Sequence, residues 1–111
     1  MIHLLCDRAT REQKREMQEW LGDYIQLAVD IERGCLAGGG ILHADCETIL
    51  IHHGSIQENI WGANWLPDTQ QIRYEALIDI RPNQDNPSMG IENQEIRLQM
   101  AEIINRILRD I

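Results

Sequence analysis

Residues 25–36, which read IQLAVDIERGCL, decide the fold class because apolar side chains recur at every second position. Leu27, Val29 and Ile31 share one face of a strand with this period, and the residues between them point to the opposite face. Glu32–Gly34 then forms a tight turn, in which Gly34 can take a positive φ, and the chain returns in a second strand. These residues therefore predict a half-buried antiparallel pair at the centre of the fold.

The same period of two extends the sheet in both directions along the chain. Ile41–His52, Gln57–Leu66 and Gln71–Arg81 each alternate and predict further strands, and Met1–Cys6 predicts a short first strand at an edge. Gly38–Gly40 interrupts the return strand, which indicates a bulge or a close approach of two backbone segments.

Two segments have a helical period instead. Thr10 and Gln13 fit a capping box, and an apolar stripe follows it. The second predicted helix covers Ile91–Ile111, with a cap near Glu92 and Asn93. The stripe of the first helix is Met17, Trp20, Leu21 and Tyr24, and that of the second is Ile96, Met100, Ile103, Ile104, Ile107 and Ile111.

The predicted order is β-α-β-β-β-β-α. Strands joined by short turns favour an antiparallel meander of four to five strands, and two amphipathic helices need one apolar sheet face to cover. We therefore expect an α+β fold with both helices packed on one face of the sheet. A chain of 111 residues predicts one domain over residues 1–111.

Composition narrows the range of partners. The chain carries 18 acidic and 10 basic residues, a formal net charge of -8, which argues against a general nucleic-acid binder. No apolar run is long enough for a membrane span, and the first residues lack the features of a signal peptide. We therefore expect a cytoplasmic protein that binds neither nucleic acid nor membrane.

The three cysteines are Cys6, Cys35 and Cys46. An odd number without CxxC spacing is not typical of a disulfide framework or a zinc site. We expect them to be small buried apolar side chains.

The first candidate site is His43-Ala44-Asp45-Cys46-Glu47. On a strand, His43, Asp45 and Glu47 form one column with steps of roughly 7 Å, and a divalent metal such as zinc, manganese or magnesium could bind between two of them. The alternatives are a solvated polar face and general acid–base catalysis.

The second candidate is the polar end of the predicted strand Gln71–Arg81. Asp79 and Arg81 lead directly into a loop over residues 82–90. The length of this loop makes it a candidate functional loop. They could bind a small polar ligand, or they could pair with charges on a neighbouring strand.

Trp61 and Trp65 would share one face of their strand. Tryptophan is favoured both in cores and in interfaces, so a homodimer contact and core packing both remain open. A stacking surface for bases would need basic neighbours, which this stretch lacks.

In combination, several short motifs resemble the domain of unknown function 5674 family, whose members are small, mainly cyanobacterial proteins. The motifs are Val29-Asp30-Ile31, Ala37-Gly38-Gly39-Gly40, His43-Ala44-Asp45-Cys46-Glu47, Gly54-Ser55, Trp61-Gly62-Ala63-Asn64 and Ile80-Arg81-Pro82, with Asn86 and Ser88. The family pattern has Asn in place of Asp79 and Arg in place of Pro87. The resemblance covers nearly the whole chain and implies a family but no activity.

No complete catalytic set is present, so a binding domain is favoured over an enzyme. We expect a small cytoplasmic binding or interaction domain that forms a homo-oligomer. The alternative is a metal- or small-ligand-binding protein, with a hydrolase among the options, that uses His43, Asp45 and Glu47.

Overall fold

A computed structural model describes residues 1–110 and contains a five-stranded antiparallel sheet with α-helices on both faces. The strands are β1 (His3–Leu5), β2 (Ile25–Asp30), β3 (Cys35–Gly38), β4 (Ile60–Leu66) and β5 (Gln71–Arg73), in the spatial order β1-β3-β2-β4-β5. The helices are α1 (Arg11–Met17), α2 (His43–His52) and α3 (Gln94–Leu108). The predicted α+β class and antiparallel sheet are confirmed.

Strand β2 is central, as its alternation predicts. It pairs with β3 from Leu27 opposite Gly38 to Asp30 opposite Cys35, and along its whole length with β4. Gly34 closes the turn between β2 and β3 with a φ of 70°, and the Asp30 carboxylate accepts the backbone N–H groups of Glu32 and Arg33. The turn chemistry therefore matches the expectation for this hairpin.

One face of the sheet packs against α1 and α3. Its core combines the inward side chains of β2 and β4 with the apolar stripe of α3. Met100, Ile103, Ile104 and Ile107 are buried, which confirms the predicted stripe, whereas Ile111 lies outside the described residues. Both predicted caps are confirmed, since Thr10 and Gln13 form a capping box and Asn93 caps α3. Trp20 is instead 62% exposed, because α1 ends at Met17, before that residue.

The opposite face packs against α2, and here the prediction of a strand over Ile41–His52 is wrong. Cys46, Ile49 and Leu50 lie three and four residues apart, so a helix brings them to one side, where they cover Ala28 and Ala37 of the sheet. Leu42, Ala44, Cys46 and Leu50 also fall at even positions and so fit a period of two, which is why the alternation misled the interpretation.

The predicted strand Gln71–Arg81 is also too long, because pairing with β4 ends at Arg73. The chain then turns through a 3-10 helix at Leu77–Asp79. Asp79 and Arg81, which a continuous strand would point away from the core, are buried, and Ile80 is exposed.

The three glycines at the end of β3, Gly38–Gly40, allow a close approach of two backbone segments, which is one of the two predicted interpretations. A Cβ atom on Gly39, whose φ is 104°, would lie 2.2 Å from the carbonyl oxygen of Met1. The crossing of the first residues over the end of β3 therefore requires glycine there.

Two of the three cysteines are bonded, so the expectation that all three are free is wrong. Cys6 and Cys35 form a disulfide, because β1 pairs with β3 in a register that brings the next residues opposite each other. Cys46 is buried and free, as expected. Disulfides persist mainly in oxidising compartments, which is at odds with the expected cytoplasmic location, and that location stays a prediction.

Within the described residues, none of the helices has the length and apolar content needed to cross a bilayer.

We expect reduction of the Cys6–Cys35 bond to lower the free energy of unfolding by about 2–4 kcal/mol. The two cysteines are 29 residues apart, so the bond removes much of the loop entropy of the unfolded chain. Urea unfolding with and without reductant measures the difference, and the Cys6→Ser/Cys35→Ser chain should not respond to reductant. Three titratable thiols in the unreduced, unfolded protein would contradict the assignment.

Candidate functional site

Helix α2 separates the three residues of the first candidate site. His43 and Glu47 lie four residues apart and share a helix face, whereas Asp45 is turned away from them and is exposed. The expected column of His43, Asp45 and Glu47 is therefore wrong, because it required a strand. The Glu47 carboxylate instead lies 3.3 Å from the Arg81 guanidinium, so the structure brings together one residue from each of the first two candidate sites.

The meeting point of these residues is an unpaired stretch of strand edge. Strand β5 covers β4 only from Asn64 to Leu66, and side chains bind the exposed backbone of the preceding residues. Asp79 Oδ1 accepts the N–H of Gly62 at 2.7 Å, and the Arg81 guanidinium donates to the carbonyl oxygen of Ile60. Side chains thus replace the missing strand, since buried backbone groups require partners.

The Arg81 side chain is held by several partners at once. Its Nε donates to the carbonyl oxygen of Ile78 at 2.9 Å, and one terminal nitrogen donates to that of Gln57 at 3.0 Å. The guanidinium carbon lies 4.7 Å from the centre of the Trp61 ring. A buried guanidinium with these contacts and the Glu47 carboxylate is a structural clamp between α2, β4 and the segment after β5.

Asp79 is a fully buried carboxyl group. Burial raises its pKa to about 7 and outweighs the hydrogen bond from Gly62 and the charge of Arg81, which lower it, while the nearby charge of Glu47 raises it further. Its second oxygen, Oδ2, has no hydrogen-bond partner among residues 1–110. A protonated Asp79 avoids the cost of an uncompensated buried charge.

The loop over residues 82–90 is organised by one carboxamide. Asn86 is buried, and its Nδ2 donates to the carbonyl oxygens of Asp79 at 2.6 Å and Gly90 at 2.9 Å. Its Oδ1 accepts the N–H of Glu92 at 2.9 Å. The loop therefore holds Asp79 and Arg81 in place and leads into α3.

Gly62 fixes how closely the segment after β5 approaches the sheet. A Cβ atom at Gly62 would lie 2.6 Å from the Cβ of Ala76 and 3.0 Å from a side-chain carbon of Ile78. The same segment continues past the sheet and forms one wall of an open cleft.

This cleft, which we call the His43 cleft, has a volume of about 400 Å³. Gln26, His43, Asn64 and Glu75 supply its polar groups, and Leu42, Leu77, Ile78 and Met89 are its main apolar walls. Its size and its few polar groups among apolar walls are typical of small-molecule sites.

The imidazole of His43 is oriented by β4. Its Nε2 lies 3.0 Å from the carbonyl oxygen of Ala63 and 2.9 Å from Asn64 Oδ1, so Nε2 carries the proton that both oxygens accept. Burial lowers the pKa of His43, which favours the neutral ring. Nδ1 is then a hydrogen-bond acceptor, as in other oriented histidines.

Gln26 adds a second acceptor to the lining of the same cleft. Its Oε1 is buried and has no hydrogen-bond partner within the described part of the chain. Buried amide oxygens are nearly always paired, so this atom marks a place where a ligand or water would complete the structure.

The other candidate chemistries find little support in the geometry. In residues 1–110 no group of three or more His, Cys, Asp or Glu side chains is placed to hold a metal ion. Burial raises the pKa of the Cys46 thiol to about 11, which keeps it protonated and unreactive.

Trp61 and Trp65 are 2% and 1% exposed and belong to the core beneath α3. Of the two interpretations left open, core packing is correct and the homodimer contact through these rings is wrong, because both rings are buried within their own chain. This leaves the expected homo-oligomer without those two anchors.

Sequence reasoning missed most of the His43 cleft. Gln26 and Asn64 alternate away from the apolar faces of their strands, but a solvated sheet face explains that pattern equally well. Only the helical fold of His43–His52 turns this face into the floor of a cleft.

The fold and the site together define a small α+β protein with an antiparallel sheet, a side-chain-sealed strand edge and an adjoining cleft. The chain belongs to the family described as Protein of unknown function (DUF5674), whose sequence profile matches residues 3–107. No curated protein and no solved structure matches the chain.

We expect Asp79 to make stability depend on pH. Its pKa of about 7 in the folded chain exceeds the ordinary value of 3.8, so the folded chain keeps a proton that the unfolded chain releases. Its contribution to the free energy of unfolding is present below the ordinary pKa and is lost as the pH rises through 7, at up to about 1.4 kcal/mol per pH unit.

Asp79→Asn keeps an oxygen for the Gly62 N–H but does not titrate. Chemical unfolding of both chains from pH 4 to 8 measures the effect, and the variant should gain stability relative to the natural chain as the pH rises. Parallel pH profiles would contradict a raised pKa.

Proposed function

We propose that this protein is a binding domain for a small molecule that donates hydrogen bonds, such as an amine or an amino-substituted heterocycle. The observation that carries the proposal is that the His43 cleft is lined both by Gln26, whose buried Oε1 has no partner among residues 1–110, and by the oriented imidazole of His43. Both groups offer acceptors at one place.

The chemistry of the lining supports a donor ligand. Glu75 adds a carboxylate at the cleft, and no Lys or Arg side chain is among the lining residues. A ligand with N–H groups, neutral or cationic, finds acceptors on several sides, whereas an anion would meet Glu75 without a compensating cation. The chain's net charge of -8 acts in the same direction.

The apolar walls support a compact, partly apolar ligand. Leu42 and Leu77 are 59% and 71% exposed, and Met89 lies beside them. A planar ring between these side chains would bury apolar area that is now open to water. The expected self-association of the chain stays a separate proposal, as does its cytoplasmic location.

The proposal is tested with 2-aminopyrimidine and, as the matched probe without the exocyclic N–H donors, pyrimidine. Two-dimensional NMR of the natural chain should show shifts at the side-chain amide of Gln26 and at the His43 ring with 2-aminopyrimidine, and much weaker ones with pyrimidine. His43→Gln should weaken binding roughly tenfold, the value of one lost hydrogen bond to a buried group.

His52→Gln is the control, because His52 is an exposed histidine at the other end of α2. This variant should bind like the natural chain. Equal responses to both probes, or equal losses in both variants, would overturn the proposal.

A further inference from the structure

A second cleft lies on the other face of the sheet, against α1. It has a volume of about 630 Å³, and its lining includes Trp65 and Asp110 together with four cationic side chains. The cationic residues are Arg8, Arg11, Lys14 and Arg15. We call it the basic cleft.

The charge of the basic cleft is opposite to that of the whole protein. Four of the chain's ten Lys and Arg residues converge here, in a molecule with a net charge of -8. Asp110 is the acidic residue of the lining. The four cationic side chains outnumber the one acidic residue of the lining, which gives the cleft a local positive potential.

The cationic side chains of the basic cleft have few acidic partners. Lys14 donates to Asp110 Oδ1 at 2.5 Å and to the carbonyl oxygen of Leu108 at 3.1 Å. Arg15 meets Glu12 only in an exposed pair at 3.4 Å. Arg8 donates to the carbonyl oxygen of Arg109, and the charge of Arg11 helps to lower the pKa of Asp110. The Arg11 side chain makes no hydrogen bond or close ion pair with any of residues 1–110.

A buried donor at the wall of the cleft gives a second, independent indication. Trp65 is 1% exposed, and its indole Nε1 has no hydrogen-bond partner in the part of the chain that is described. A buried indole N–H is usually hydrogen-bonded, so the Trp65 N–H indicates that an acceptor is missing at this wall of the cleft. Lys14 Nζ lies 6.0 Å from the centre of the same ring.

We propose that the basic cleft binds a small organic phosphate. Three guanidinium groups and one ammonium group match a doubly charged phosphate, whose oxygens accept the paired N–H groups of arginine. The cleft is far larger than the phosphate itself, which leaves room for an organic part. The site is independent of the His43 cleft, because Trp65 and His43 pack on opposite faces of the sheet.

In this proposal, Asp110 competes with the phosphate for the ammonium group of Lys14. Its carboxylate occupies Lys14 in the described structure, and that hydrogen bond lowers the pKa of Asp110. A phosphate would displace it and take over the ammonium group. Asp110→Asn should therefore bind phosphate more tightly than the natural chain.

The experiment uses isothermal titration calorimetry of the full chain with ribose 5-phosphate, inorganic phosphate and ribose. We expect ribose 5-phosphate to bind, inorganic phosphate to bind more weakly, ribose not to bind, and added salt to weaken both phosphates. Arg11→Gln should weaken ribose 5-phosphate roughly tenfold through loss of a charge-assisted contact. Binding should also shift the NMR signal of the Trp65 indole N–H.

Arg73→Gln is the matched control, since it removes the same charge from an exposed arginine of β5 outside the basic cleft. It should bind like the natural chain. Absence of ribose 5-phosphate binding, or equal losses in the Arg11 and Arg73 variants, would overturn the proposal. Inorganic phosphate binding as tightly as ribose 5-phosphate would overturn the organic part.

Discussion

The hydrogen bond from the Gly62 N–H to Asp79 is the interaction on which much of this structure depends. It closes a strand edge that β5 is too short to cover, together with the contact from Arg81 to Ile60. A buried strand edge without partners would leave backbone N–H and C=O groups unsatisfied, and each such group lowers the stability of the fold. These contacts hold the segment after β5 against the sheet. The position of that segment then determines how the rest of that sheet face is covered.

Two consequences follow for the surroundings. Arg81 binds Glu47 and so fixes α2 against the edge, and Leu77 and Ile78 of the same segment become a wall of the His43 cleft. Asp79 itself is fully buried, so its protonated form fits this place better than the carboxylate. An amide and a neutral carboxyl group both offer an oxygen to Gly62 without burying a charge.

The sequence predicted the central strands, the caps and the stripe of α3 because each depends on neighbours along the chain. The helix at His43–His52 could not be predicted from the sequence, because several of its apolar residues fit a strand period as well as a helical one. Only packing against Ala28 and Ala37 distinguishes the two. Asp79 and Arg81 were expected on the polar face of a long strand, but both are buried because β5 ends at Arg73, which no local pattern encodes. The pairing of Cys6 with Cys35 likewise follows from the register of β1 and β3.

The most direct test of this account is amide hydrogen exchange at Gly62. In the natural chain, the Gly62 N–H should exchange as slowly as the amides at the centre of β2, because Asp79 takes the place of a neighbouring strand. In Asp79→Ala, that protection should be lost at Gly62 while β2 stays protected. A Gly62 amide that exchanges as fast as exposed loop amides in the natural chain would contradict the account.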